Sequence, residues 1–99
     1  MLNFVKLVGC VFAAPTVKII AENCKIYECQ IAVETDGAQV IIPILLDSRI
    51  FAKVIKQLKV NTIVDITASL KISNTQTQNK AYKFDSVFCK SLQLLDLDK

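Results

Sequence analysis

Tyr27-Glu28-Cys29-Gln30-Ile31-Ala32-Val33-Glu34-Thr35-Asp36-Gly37-Ala38-Gln39-Val40-Ile41-Ile42-Pro43-Ile44-Leu45-Leu46-Asp47-Ser48-Arg49-Ile50-Phe51 is the stretch that decides the fold. Tyr27, Cys29, Ile31 and Val33 alternate with Glu28, Gln30, Ala32 and Glu34, the period-2 pattern of a half-buried strand from Lys25 to Glu34. Asp36-Gly37 is the dipeptide favoured by a tight type I′ hairpin turn, so Gln39 to Leu46 is expected to return antiparallel. Asp47 then stands where a helix N-cap is wanted. Beyond it Ile50, Phe51, Val54, Ile55 and Leu58 form an apolar face opposite Arg49, Lys53 and Lys56. Asn61, tolerant of the left-handed conformation, is expected to end the helix.

Upstream, Leu2 to Phe12 reads as a strand that stops before Ala13-Ala14-Pro15. Its two faces are Val5, Leu7, Gly9, Val11 and Phe4, Lys6, Val8, Cys10, Phe12. Gly9 inside it suggests a bulge or bend, by which one strand can serve both sides of a small barrel. Downstream, Thr62 to Ile72 alternates with Val64, Ile66, Ala68, Leu70 and Ile72 inward. The polar run Ser73 to Lys80 reads as a loop, and a fifth strand runs from Ala81 to about Leu95 with a bulge expected near Ser86. The order β-β-β-α-β-β over a single domain, residues 1–99, is that of an OB-fold, the all-β five-stranded Greek-key barrel that binds oligonucleotides and oligosaccharides.

Composition narrows the function. The 99 residues leave room for one core, and 53% are apolar, a fraction unchanged if the two Gly replace the two Tyr in the count. That exceeds the roughly 45–50% of soluble domains, and a small chain keeps much surface exposed, so part of that surface is expected to be covered in a homo-oligomer. With no His and no Trp there is no imidazole base and no His metal ligand. A non-catalytic protein without cofactor, metal or small-molecule substrate is expected. Cys10, Cys24, Cys29 and Cys89 contain no C-x-x-C pair and read as reduced thiols. Leu7-Val8-Gly9-Cys10 imitates a lipid-attachment box, but Lys6 interrupts the apolar run. The longest charge-free apolar run elsewhere, Val40 to Leu46, is far below the roughly 20 residues of a membrane helix. No membrane association is expected, and a cytoplasmic location is.

The residues resemble the bacterial single-stranded DNA-binding protein family collinearly over almost the whole chain. Val8-Gly9 followed by Ala14-Pro15-Thr16-Val17-Lys18 looks like the family's first strand, Gly and Asp-Pro-x-Val-Arg segment. Ser48-Arg49-Ile50 falls where the family has Gly-Lys-Leu, and Leu58-Lys59-Val60-Asn61-Thr62 resembles its Leu-Lys-Lys-Gly-Ser turn. Val64-Asp65-Ile66-Thr67-Ala68-Ser69-Leu70-Lys71 resembles Val-x-Ile-x-Gly-x-Leu-Arg, Lys80-Ala81-Tyr82 parallels Asp-Arg-Tyr, and Gln93-x-Leu95 parallels the Gln-x-Leu that closes the barrel. The resemblance implies sequence-independent single-stranded DNA binding in replication, repair or recombination, and a tetramer. Departures stand beside it. The stacking tryptophans are replaced, at Ile41 or a neighbour and at Asn74 or Thr75, the hairpin between the second and third strands is cut to Asp36-Gly37, and the family's acidic-tipped tail is not expected.

Charge is uneven. Residues 48–84 carry Arg49, Lys53, Lys56, Lys59, Lys71, Lys80 and Lys83 against the single acid Asp65, within a chain of net charge +3. Single strands are held by such a charged groove with aromatic platforms. The candidate binding residues are Lys6, Lys18, Arg49, Lys71, Lys80 and Lys83, with Phe4, Tyr82 and Phe84 as candidate platforms. Phe12 and Phe88 read as core or interface, Phe51 as core, and Lys53 and Lys56 as a solvated stripe facing away from the groove. Two other readings share the pattern: an OB-fold accessory or interaction subunit of a replication complex, and an RNA-binding OB domain, since stacking and backbone charge do not separate the polymers unless a 2′-hydroxyl is read.

Overall fold

Where β-branched residues alternate with polar ones the chain forms strands, and the computed structural model describes them over residues 3–71 and 86–95. The elements are β1 (Val5–Ala21), β2 (Cys24–Thr35), β3 (Ala38–Asp47), α1 (Ser48–Ile55), β4 (Ile63–Lys71) and β5 (Ser86–Leu95). They close into a barrel in the order β1-β2-β3-β5-β4, the OB-fold arrangement. β2 and β3 pair without interruption from Ile26↔Asp47 to Thr35↔Ala38. Asp36 and Gly37 both take positive φ, 52° and 76°, as a type I′ turn requires. Closure rests on a short parallel pairing, Ile44↔Val87 and Leu45↔Phe88.

β1 runs beyond its expected end at Phe12. Its first half pairs with β4 from Val5↔Ala68 to Cys10↔Ile63, and its second half pairs with β2 from Cys10↔Ala32 to Ala21↔Cys24. The change of partner falls beside Gly9. A Cβ there would collide with the Ala32 carbonyl oxygen and meet the Cγ2 atoms of Ile31 and Val33 at 3.0 Å, so only a hydrogen side chain lets β1 cross this close to β2. Three register shifts follow, at Phe12, across Ala14-Pro15, and at Lys18. Pro15 does not end the strand because its missing N–H falls in one of these bulges. The bulges also curl β1 around the barrel.

The core is Val11, Cys29, Ile31, Ile44, Leu46, Phe51, Leu58, Val64, Ile66, Ala68, Val87 and Cys89. Phe51 is thus core as expected. The β4 pattern holds for Val64, Ile66 and Ala68, but Leu70, near the end of the strand, is 37% exposed; Ile72 lies outside the described residues. Among the described residues the pairing from Lys71↔Ser86 to Ala68↔Cys89 is regular, and the part of the expected fifth strand before Ser86 lies outside them. The β4–β5 bulge is at Lys90, between Thr67↔Ser91 and Ala68↔Cys89. All four cysteines are free. Burial pushes the Cys29 thiol up to about 11 and the Cys89 thiol up to about 12, so both stay protonated at neutral pH.

α1 plugs one end of the barrel. The Asp47 carboxylate accepts the Arg49 backbone N–H at 2.8 Å, an N-cap worth about 1 kcal/mol, and the same carboxylate takes a forked contact from the Arg49 guanidinium, Nη2 to Oδ2 2.7 Å. The helix stops at Ile55, earlier than its apolar pattern suggests, and Phe51 breaks it with φ −111°. Asn61 does turn left-handed, φ 76°, but in a separate turn. There its N–H donates to the Val11 carbonyl, and the Val11 N–H donates to the Thr62 carbonyl, both at 2.8 Å. Ile50, placed on the apolar face by spacing, is 69% exposed, since a helix this short and broken buries only Phe51 fully.

Gly9→Ala is expected to lower stability by about 1–3 kcal/mol, read as a lower urea midpoint, because the colliding atom is backbone and cannot swing aside. A second expectation concerns acid. Side-chain and backbone hydrogen bonds from Arg49 hold the Asp47 carboxyl below its usual range, so its stabilisation is complete above the unfolded pKa of about 4 and is lost as pH falls through the lower folded value. Asp47→Asn keeps a capping oxygen but loses the charge. It should melt slightly below the wild type at pH 7, with the gap closing as thermal scans are moved to about pH 3 and below.

Candidate nucleic-acid interface

Pairing places Leu45 of β3 beside Phe88 of β5, and Phe88 beside Ser69 of β4. These three residues line the floor of a cleft of about 760 Å³ on the outside of the barrel. Lys71 and Ser86, which pair with each other, stand at one edge. Lys18 and Ile19 of β1, Lys90 of β5 and Ile50 at the start of α1 stand around it. Successive strand residues normally point to opposite faces, and on β5 Phe88 and Lys90 reach the cleft from the outer face while Cys89 between them belongs to the core. On β1 both Lys18 and Ile19 border the cleft, beside the bulge at Lys18.

The lining is mainly apolar with three lysines around it. Phe88 is half-buried, outside the core, with the Lys71 ammonium 5.9 Å from its ring centroid, within cation–π range. Of its reading as core or interface, the core alternative is thereby corrected: its side chain points outward from the barrel wall. Phe12 is likewise not core, being 51% exposed on the outer face of β1. A second cleft of about 270 Å³ continues from the first through Lys18, Leu45 and Ser86, and its walls include Ile41 and Pro43. A shallow hollow on the other side, bordered by Arg49, Lys53 and Lys90, meets the main cleft at Ile50 and Lys90. Lys53, expected to look away from the groove, therefore adjoins it beside Arg49, because the exposed Ile50 links the two surfaces. Lys56 borders neither.

The sequence-derived candidates divide accordingly. Lys18 and Lys71 are brought together at the cleft. Lys6 and Phe4 are not: they lie along the outer β1–β4 wall, where Lys6 pairs with Asp65 at 2.8 Å and Asn3 holds the Leu70 backbone from both sides. Arg49 is at the margin, committed to Asp47. Lys18 is paired with Glu28, Nζ to Oε2 2.7 Å. Lys80, Tyr82, Lys83 and Phe84, and the loop from Ser73, lie outside the described residues, although the chain leaves β4 at Lys71 and resumes in β5 at Ser86, both on the cleft. Lys90 was not singled out from the sequence because it lies outside the basic stretch 48–84, although alternation places it on the same face of β5 as Phe88.

No protein-family model and no curated protein matches the sequence. Among solved structures the chain is similar to the dimeric N-terminal domain of the PriB protein of Thermoanaerobacter tencongensis, with a TM-score of 0.74, 23% identity, and 95% of this chain and 97% of that one covered. It is similar to the Plasmodium falciparum SSB in complex with single-stranded DNA, TM-score 0.71 and 20% identity over 97% of both chains. It is also similar to the mitochondrial single-stranded DNA-binding protein Rim1 of Saccharomyces cerevisiae, TM-score 0.69 and 15% identity, covering 96% of this chain and 97% of that. The likeness spans nearly the full length of all three chains, and the shared feature is the OB-fold barrel.

Proposed function

We propose that this chain binds single-stranded DNA without catalysis, mainly through phosphate charge and base stacking, in replication, repair or recombination in the cytoplasm. The observation that carries the reading is the cleft itself: an aromatic ring on its floor, Phe88, ringed by Lys71, Lys90 and Lys18. A flexible polyanion needs cations spaced along a track and a planar surface for its bases. The track runs from Lys71 past Phe88 to Lys90 and on to Lys53. A duplex is stiff and hides its base faces, so it gains only the charge component there. The solved structures of the same fold include one holding single-stranded DNA, which supports the same assignment. Among the described residues no helix is long and apolar enough to cross a membrane.

The outer face of β1 is a separate surface. Phe4, Val8 and Phe12 are each more than half exposed along one side of the first strand, an apolar row of the kind a second copy of the chain would cover. The chain is proposed to be a homo-oligomer through this face, a tetramer on the resemblance of its sequence. The PriB domain of like fold is dimeric.

Lys71→Glu with Lys90→Glu should abolish most binding to labelled oligo-dT. The double variant should also bind with a shallower dependence on salt, since each phosphate a single strand has neutralised adds about 0.7 to the slope of log affinity against log salt. Lys53→Glu should cost less, and Lys56→Glu almost nothing. Phe88→Ala should weaken binding by about 1–3 kcal/mol with little change in melting temperature; a large drop in melting temperature would return Phe88 to the core. For assembly, Val8→Glu should shift the sedimentation of the wild-type oligomer towards the 11.0 kDa chain, and a wild type already monomeric at micromolar concentration contradicts this face as an interface.

A further inference from the structure

The smaller cleft has one polar edge, made by the Lys18–Glu28 ion pair, and apolar walls from Ile41, Pro43 and Val87. At about 270 Å³ it lies just below the roughly 300–1,000 Å³ of clefts that take drug-sized ligands, the scale of one planar base. It opens into the main cleft through Lys18, Leu45 and Ser86, so a base entering it can belong to a strand lying over Phe88. Glu28 keeps only 22% of its side chain exposed, and a carboxylate so placed makes stronger hydrogen bonds than one in open water.

The order of polar atoms along that edge is specific. Lys18 Nζ sits 2.7 Å from Glu28 Oε2. With the ammonium on Oε2, the pair has a donor, then the acceptor Oε2, then the carboxylate's other acceptor Oε1 to offer a base in the cleft it lines. The Watson–Crick edge of guanine is the complement: O6 accepts, N1–H donates and N2–H donates. Thymine offers acceptor, donor, acceptor, which satisfies two positions and sets O2 against the carboxylate. Adenine and cytosine meet at most two positions in either orientation. Single-stranded bases leave this edge free to be read.

We propose that the Lys18–Glu28 pair and the cleft beside it form a guanine-reading subsite, so that one nucleotide position of the bound strand prefers guanine. The inference rests on the reading of the groove as a single-stranded DNA site and adds a base preference to an otherwise sequence-tolerant surface. It also assigns Lys18 a different task from Lys71 and Lys90. Held by Glu28, it contributes little free charge to a phosphate but gives the carboxylate its donor neighbour.

Substitution of Glu28→Gln makes a pointed test, because it changes the edge to donor, acceptor, donor when the amide oxygen stays on Lys18. That array complements thymine and opposes the N2 amino group of guanine. The probes are fluorescein-labelled thymidine oligomers of about twelve nucleotides, within the site sizes of OB-folds, carrying one central dG, dA or dC or none, titrated by anisotropy at several salt concentrations. For the wild type the dG oligomer should bind about tenfold more tightly than the others, inside the range of a bidentate base contact, with that ratio holding as salt weakens all four. In Glu28→Gln the advantage should vanish or pass to the all-thymidine oligomer. Equal wild-type affinities for the four oligomers overturn the subsite and leave the groove reading standing, as does a dG preference unchanged by Glu28→Gln. Failure of every oligomer to bind at low salt overturns both.

Discussion

Everything in this barrel hangs on the close passage of β1 over β2 at Gly9. Because the Ala32 carbonyl occupies the space a Cβ would need, the first strand can leave β4 and join β2 within one residue of Cys10. Without that transfer β1 would lie in one sheet only and the barrel would stay open between β1 and its neighbours. The turn after α1 anchors the same point from outside, through the paired backbone hydrogen bonds of Val11 with Asn61 and Thr62. A closed wall then brings β3, β5 and β4 side by side, and so brings Leu45, Phe88 and Ser69 into one row.

A bulge helps to shape the proposed groove in this wall. A regular strand would hide either Lys18 or Ile19, and the register shift at Lys18 lets both border the cleft. On β5, by contrast, ordinary alternation sets Phe88 and Lys90 outward on either side of the core residue Cys89. Electrostatics depends on local placement: within a net charge of only +3, Lys6, Lys18 and Arg49 each carry a carboxylate partner, while Lys71 and Lys90 border the aromatic floor. The proposed groove binds by local arrangement, and not by a strong overall field.

Much of this was legible in the order of residues. The β2–β3 hairpin, its Asp36-Gly37 turn, the Asp47 cap, the order of elements and most of the core follow from local rules: alternation, turn chemistry and capping act over a few residues, and each agreed with the barrel. The extension of β1 through Pro15 did not, since a proline reads as a stop unless a bulge absorbs its missing N–H, and bulges are set by tertiary pairing. Ile50 and Leu70 were misplaced for a related reason, as periodicity assigns a face but not whether anything covers it. Of the candidate residues, Lys18 and Lys71 come together at the cleft with Lys90, which the sequence reading did not single out, and with Phe88, which it read as core or interface, while Lys6 and Phe4 lie on another wall. A charge can be seen in a sequence, but whether an acid from a neighbouring strand sits beside it cannot.

The central claim, that single strands lie in the cleft over Phe88, is tested most directly by following backbone amide resonances while a short thymidine oligomer is titrated in. The largest changes should gather at Leu45, Ser69, Lys71, Phe88 and Lys90, with the outer β1 row of Phe4, Val8 and Phe12 little affected. Changes concentrated along that β1 row, with the cleft residues silent, would contradict it.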